Sequence, residues 1–188
     1  MRLFIAIDID EKNMVALNDL QKQLRAKANV KAGDVKWVTA KNIHLTLKFF
    51  GEVEEDKLPE ICKITEDVAS SHESFELSLE SVGHFGGKSA TVLWVGACAG
   101  TEEMLQLQKD LEEKFASAGW PAEERPFSGH LTLARIKNPK AGFKIAQLAQ
   151  QYKNFELGVL SVDSINVYKS QLTPDGPIYT LLGNYKLK

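Results

Sequence analysis

One tetrapeptide, His-Leu-Thr-Leu, occurs twice in this chain, at residues 44–47 and again at 130–133. Imidazole has an unperturbed pKa of about 6.5, so a histidine can give or take a proton near neutrality. Two of them in opposite protonation states can take a proton from an attacking water and hand one to a departing oxygen. The hydroxyls of Thr46 and Thr132 can donate hydrogen bonds to non-bridging oxygens where negative charge builds. Together these groups suit hydrolysis of a phosphodiester, with no need of a metal or a covalent nucleophile.

The elements that carry the motifs must bring them together. Residues 43–50 and 128–136 are rich in β-branched and aromatic side chains and read as strands. In a strand, residues two apart share a face, so His44 stands beside Thr46 and His130 beside Thr132, with the leucines turned into a core. If the two halves face each other about an approximate two-fold axis, both imidazoles and both hydroxyls converge on one cleft. By the same parity Phe50 joins His44 and can stack on a base. Arg125 and Phe127 lie on the approach to the second motif and can line a substrate path.

The remaining pattern predicts one α+β body over residues 1–188. Strands are expected at 3–9, 35–38, 75–80, 90–97, 164–168 and 178–187. Helical spacing of apolar residues marks 11–28, 56–70, 102–118 and 141–152, with Thr101 placed to cap the third helix. No stretch rich in Pro, Gly or Ser separates domains.

Composition narrows the class further. Of 188 residues, 44% are hydrophobic and 26% charged, which supports a folded core without disulfides. The formal net charge of -2 excludes the diffuse basic field of a protein that coats long nucleic acid. The opening apolar run is cut by Asp8, so it reads as neither a signal peptide nor a membrane span, and a cytoplasmic location is expected. Cys62 and Cys98 stand apart and read as buried small residues. His72 and His84 have no ligand spacing around them and read as solvated. Residues 83–89, Gly-His-Phe-Gly-Gly-Lys-Ser, imitate a phosphate loop but precede a strand, so a hairpin turn is expected. Trp37, Trp94 and Trp120 are assigned to packing.

The chain resembles the two-histidine phosphoesterases, in the branch of 2'-5' RNA ligases and RNA 2',3'-cyclic phosphodiesterases. The resemblance rests on Met-Arg-Leu-Phe-Ile-Ala-Ile at the start and Trp37-Val38 ahead of His-Leu-Thr-Leu-Lys-Phe-Phe-Gly at 44–51. Val-Leu-Trp-Val-Gly at 92–96 and Arg125-Pro126-Phe127 before His-Leu-Thr-Leu-Ala-Arg at 130–135 complete it. It implies a two-lobed, pseudo-two-fold fold, with antiparallel sheets lining a central cleft and helices outside. It implies opening of RNA 2',3'-cyclic phosphates to 2'-phosphates, with His44 as proton donor, His130 as acceptor and no cofactor. The expected partners are RNA ends or small cyclic nucleotides, and the expected state is a monomer without metal or membrane.

The resemblance also gives Arg135 a phosphate-binding role, since a guanidinium grips phosphate oxygens through paired donors. Simple parity objects: position 135 is an odd step from 130, and contact requires a bulge or the strand's end. Gly129 stands where the family often has proline. Two other functions would use the same residues, a nucleotide- or RNA-end-binding module with little catalysis, and 2'-5' joining of RNA halves.

Overall fold

A computed structural model describes residues 1–174 and 176–188. Its elements in chain order are β1 (Arg2–Ile7), α1 (Glu11–Ala28), β2 (Val35–Trp37), β3 (Leu45–Glu52), α2 (Leu58–Ala69), β4 (Phe75–Phe85), β5 (Val92–Ala97), α3 (Thr101–Ser117), β6 (His130–Ile136), α4 (Pro139–Gln151), β7 (Glu156–Val162), β8 (Ser164–Thr173) and β9 (Gly176–Lys186). A short 3-10 turn, Ala40–Asn42, leads into the first motif. The class is α+β, as the pattern predicts. The tail differs most: β7 lies in a stretch where no strand is expected, and β8 runs five residues past the predicted end at 168.

The strands join one nine-stranded sheet in the order β7-β4-β5-β6-β3-β1-β8-β9, with β2 added beside β6. Adjacent strands are antiparallel throughout the described residues. The expected two sheets are therefore halves of one sheet, and β6 and β3 meet at its centre through a single pair, Leu45 with Leu131. Next to that pair β2 takes over along β6, with Trp37 opposite Ala134, and the sheet curls so that its face away from the helices forms a groove.

The helices cover the other face. Leu3, Ile5 and Ile7 of β1, Leu45 of β3, and Leu131 and Leu133 of β6 all lie in the core, where α1 adds Leu17, Leu20 and Leu24 and α3 adds Leu107, Leu111 and Phe115. Local chemistry sets the helix ends. The Asp10 carboxylate accepts from the Asn13 amide at 2.7 Å, and Asn29 closes α1 in the left-handed region at φ 45°. Helix α3 begins one residue earlier than predicted, at Thr101. The capping position falls on Gly100 at φ 77°, where a Cβ would run into the Glu76 carbonyl. Asn138 caps α4, accepting from Lys140 N at 2.9 Å.

Candidate active site

The Leu45–Leu131 pair organises the site. Continuing the antiparallel register by one residue each way sets His44 across from Thr132 and Thr46 across from His130. Directly opposed side chains have Cβ atoms about 4.5–5.5 Å apart, so the duplicated motif yields one cluster of two imidazoles and two hydroxyls. All four side chains are partly exposed while the flanking leucines are buried, which places the four on the open face.

The backbone of its own segment acts on each imidazole. The His130 Nδ1–H donates to the Ser128 carbonyl at 2.7 Å, leaving Nε2 as the lone-pair nitrogen of the neutral ring. The Asn42 backbone, the equivalent position two residues upstream, favours the charged form of His44. The walls differ. His44 stacks on Phe4 of β1, with centroids 4.7 Å apart, and meets the edge of Tyr179 of β9 at 5.2 Å. His130 meets Phe85 of β4 edge-on at 5.0 Å and lies 6.4 Å from Trp94 of β5. Trp94 lies flat on Gly83, where a Cβ would overlap the indole, so the glycine lets the ring reach beneath the site.

Burial lowers both histidine pKa values. That of His44 falls to about 4 against the pull of the Asn42 backbone and of Asp8. His130 shifts the same way, held up by Ser128 and pushed further down by the Arg135 charge. Asp8 is itself held in place, accepting from the Tyr168 hydroxyl at 2.6 Å and from Asn166 Nδ2 at 2.9 Å.

Arg135 reaches the histidine face because β6 contains a bulge. In the β5–β6 register Trp94 pairs with Thr132 and Leu93 with Ala134, so Leu133 is an extra residue. Leu133 and Ala134 are both buried, the alternation resets, and Arg135 emerges exposed on the side of Thr132. The bulge is anchored: the Leu133 carbonyl accepts from Val38 N at 2.9 Å and from the buried Gln21 Nε2 at 2.9 Å.

The first motif repeats this device, and it corrects the reading of Phe50. Against β1, Ala6 pairs with Thr46 and Ile5 with Lys48, so Leu47 is the extra residue. Parity then flips: Phe49 comes to the open face, 52% exposed, and Phe50 turns under the helices. There Phe50 packs edge-on against Phe115 at 4.8 Å and Trp120 at 5.2 Å, so it is a packing residue.

Arg125 is exposed in the segment before β6, where its amide donates to Glu123 Oε1 at 3.3 Å, and Phe127 packs on the core. Among the described residues neither touches the histidine rings. His72 and His84 are not solvated as expected. His72 Nε2 is bound to Asp110 Oδ2 at 3.0 Å, and the His84 Nδ1 is buried. Residues 83–89 form the expected hairpin, turning through Gly86 and Gly87 at φ 111° and 65° into β5. Trp94 packs as predicted but also borders the site. Sequence reasoning missed Phe4, Asp8, Phe49, Phe85, Tyr168 and Tyr179. Only the bulges could have revealed Phe49, and nothing in the sequence links Tyr179 to His44.

A sequence profile of the 2'-5' RNA ligase superfamily matches residues 15–173. The chain is 35% identical to an RNA 2',3'-cyclic phosphodiesterase of Methanothermobacter thermautotrophicus, over all of this chain and 99% of that protein. It is 33% identical to one of Methanocaldococcus jannaschii, over 97% of this chain and 98% of that one. Among solved structures, a protein of Thermus thermophilus superposes with a TM-score of 0.80 at 28% identity, covering all of this chain and 98% of the other. LigT of E. coli, crystallised with 3'-AMP, has the same fold, with a TM-score of 0.77 at 24% identity and 99% and 97% of the two chains covered.

Proposed function

The chain belongs to the 2'-5' RNA ligase superfamily, and on that footing we propose that it hydrolyses RNA 2',3'-cyclic phosphates to 2'-phosphates with His44 and His130 as its acid and base. One observation carries the reading: both imidazoles lie on one open face, each opposite the other motif's threonine, with His130 oriented by the Ser128 carbonyl.

The family resemblance assigns the roles, His44 as proton donor and His130 as acceptor. Nε2 of neutral His130 takes a proton from water, and His44, charged once the phosphate anion is bound, gives a proton to the leaving ribose oxygen. Thr46, Thr132 and Arg135 donate to the phosphate oxygens as their charge rises. Phe49 offers the base platform first sought at Phe50. Arg125 and Phe127 are assigned to the substrate path by their place before His130. The proposed enzyme acts as a cytoplasmic monomer, without metal or organic cofactor, on RNA ends or small cyclic nucleotides.

The test is product analysis on an oligonucleotide ending in a 2',3'-cyclic phosphate, in excess chelator. The expected product is the 2'-phosphate, with turnover reduced by roughly 10²–10⁴-fold in either His44→Ala or His130→Ala. Loss of all activity in chelator, or parent-like rates in both variants, would overturn the mechanism. Tight binding with no product would favour a binding module. Joined product from an added 5'-hydroxyl RNA would show that a ribose hydroxyl can replace water.

A further inference from the structure

Tyr179 lies on β9, far from either motif in sequence, yet its ring sits against the proton donor. It meets His44 edge-on at 5.2 Å and Phe4 at 5.1 Å. Its place is fixed by a tether two residues earlier, where Asn42 Nδ2 donates to the Pro177 carbonyl at 3.1 Å. That bond ties the β8–β9 hairpin to the turn that delivers His44.

The hydroxyl needs a separate explanation. Packing on Phe4 and His44 uses the ring alone. Tyr168, the neighbouring tyrosine on the same face, gives its hydroxyl to Asp8 at 2.6 Å, whereas that of Tyr179 has no partner among the described residues. Burial pushes the Tyr179 phenol pKa up and outweighs the opposing charge of Arg135, so the phenol stays protonated. The His44 ring stands against Tyr179, Thr132 lies opposite His44 in the strand register, and the Arg135 charge is felt at the phenol; all three can donate. Asp8, the carboxylate that favours the charged His44 ring, is engaged by Tyr168 and Asn166. A set of donors with an uncommitted hydroxyl among them suits an anion with several oxygens.

We propose that Tyr179 is a phosphate-binding residue, its hydroxyl donating to a non-bridging oxygen that Arg135 also grips. The inference takes its substrate from the phosphodiesterase reading, but its geometry stands without it. A bridge between β9 and β6 would close the phosphate between the two halves of the sheet.

Calorimetric titration of the full chain with inorganic phosphate decides it. Tyr179→Phe keeps the ring and removes the donor. A hydrogen bond to a charged group corresponds to a loss of roughly ten- to a hundred-fold in phosphate affinity. The same factor is expected in kcat/KM on a nucleoside 2',3'-cyclic phosphate, with an unchanged unfolding midpoint. Combined with Arg135→Ala, the loss should be smaller than the product of the two single losses, because both donors serve one oxygen. Parent-like phosphate affinity in Tyr179→Phe, or no phosphate binding by the parent, overturns the assignment. A parent that binds phosphate but opens no cyclic phosphate rejects the reaction and leaves the titration to judge Tyr179.

Discussion

At the residue scale the two histidines pose a problem of protonation. The proposed donor must be charged, yet burial lowers the His44 pKa to about 4, and that of His130 also falls. Asp8 on the β1 side favours the charged His44 ring, while Phe4 and Tyr179 pack on it as neutral groups and Arg135 stands across the groove. In the free protein at neutral pH both rings are therefore mostly neutral, and His44 loses its proton as pH rises through about 4. A bound phosphate brings negative charge beside His44 and favours its charged form. The kcat/KM profile reports the free enzyme and the kcat profile the complex. We expect the alkaline limb of kcat to lie at higher pH than that of kcat/KM, and Asp8→Asn to move the alkaline limb of kcat/KM to lower pH. Superimposed limbs in the parent would show that substrate does not charge His44.

At the scale of the element, the bulges at Leu47 and Leu133 decide which side chains meet. Each inserts one residue after the His-Leu-Thr triplet, so the next outward-facing positions are Phe49 and Arg135. The prediction is a contrast between neighbours. Phe49→Ala should leave stability nearly unchanged and raise KM for a base-bearing substrate roughly tenfold, since stacking contributes about 1–3 kcal/mol per base. Phe50→Ala should lower stability by about 3 kcal/mol in chemical unfolding, through the cavity left against Phe115 and Trp120. The reverse pattern would mean that the register of β3 is wrong. This pair also shows how far the chain could be read in advance. The histidine–threonine faces were legible because each pair lies two residues apart on the near side of a bulge. Arg135 was legible only as a conflict between family resemblance and parity, and the bulge resolves it. Phe50 was misread because parity was carried through an inserted residue that no side-chain type announces. Tyr179 and Phe85 reach the site through strand pairings that single-sequence periodicity does not encode.

At the scale of the whole molecule, the sheet alone joins its halves weakly, through one Leu45–Leu131 pair. The helices make good the difference by crossing. Helix α1 follows β1 in the first half but packs on the second: Asn13 Nδ2 donates to Val159 O at 2.9 Å, and Gln21 to Leu133 O. Helix α3 follows β5 in the second half but packs beneath the first, where Glu112 binds Lys48 of β3 at 2.7 Å. Lys48 is 5% exposed, donates also to the Pro121 carbonyl at 3.2 Å, and lies 5.7 Å from the Phe50 ring centre and 5.9 Å from that of Phe115. An ion pair this deep stabilises little relative to an apolar pair, but removing one partner strands the other charge at a cost of about 3–5 kcal/mol. Lys48→Ala should therefore lower global stability by about that amount. Because each half rests on the other's helix, the loss should appear as one earlier transition, with tryptophan fluorescence and far-ultraviolet circular dichroism coinciding. Lys48→Met/Glu112→Leu, which removes both charges, should recover most of the loss. Two separated transitions in Lys48→Ala would show that the halves fold independently, and that the groove is held only by the central leucine pair.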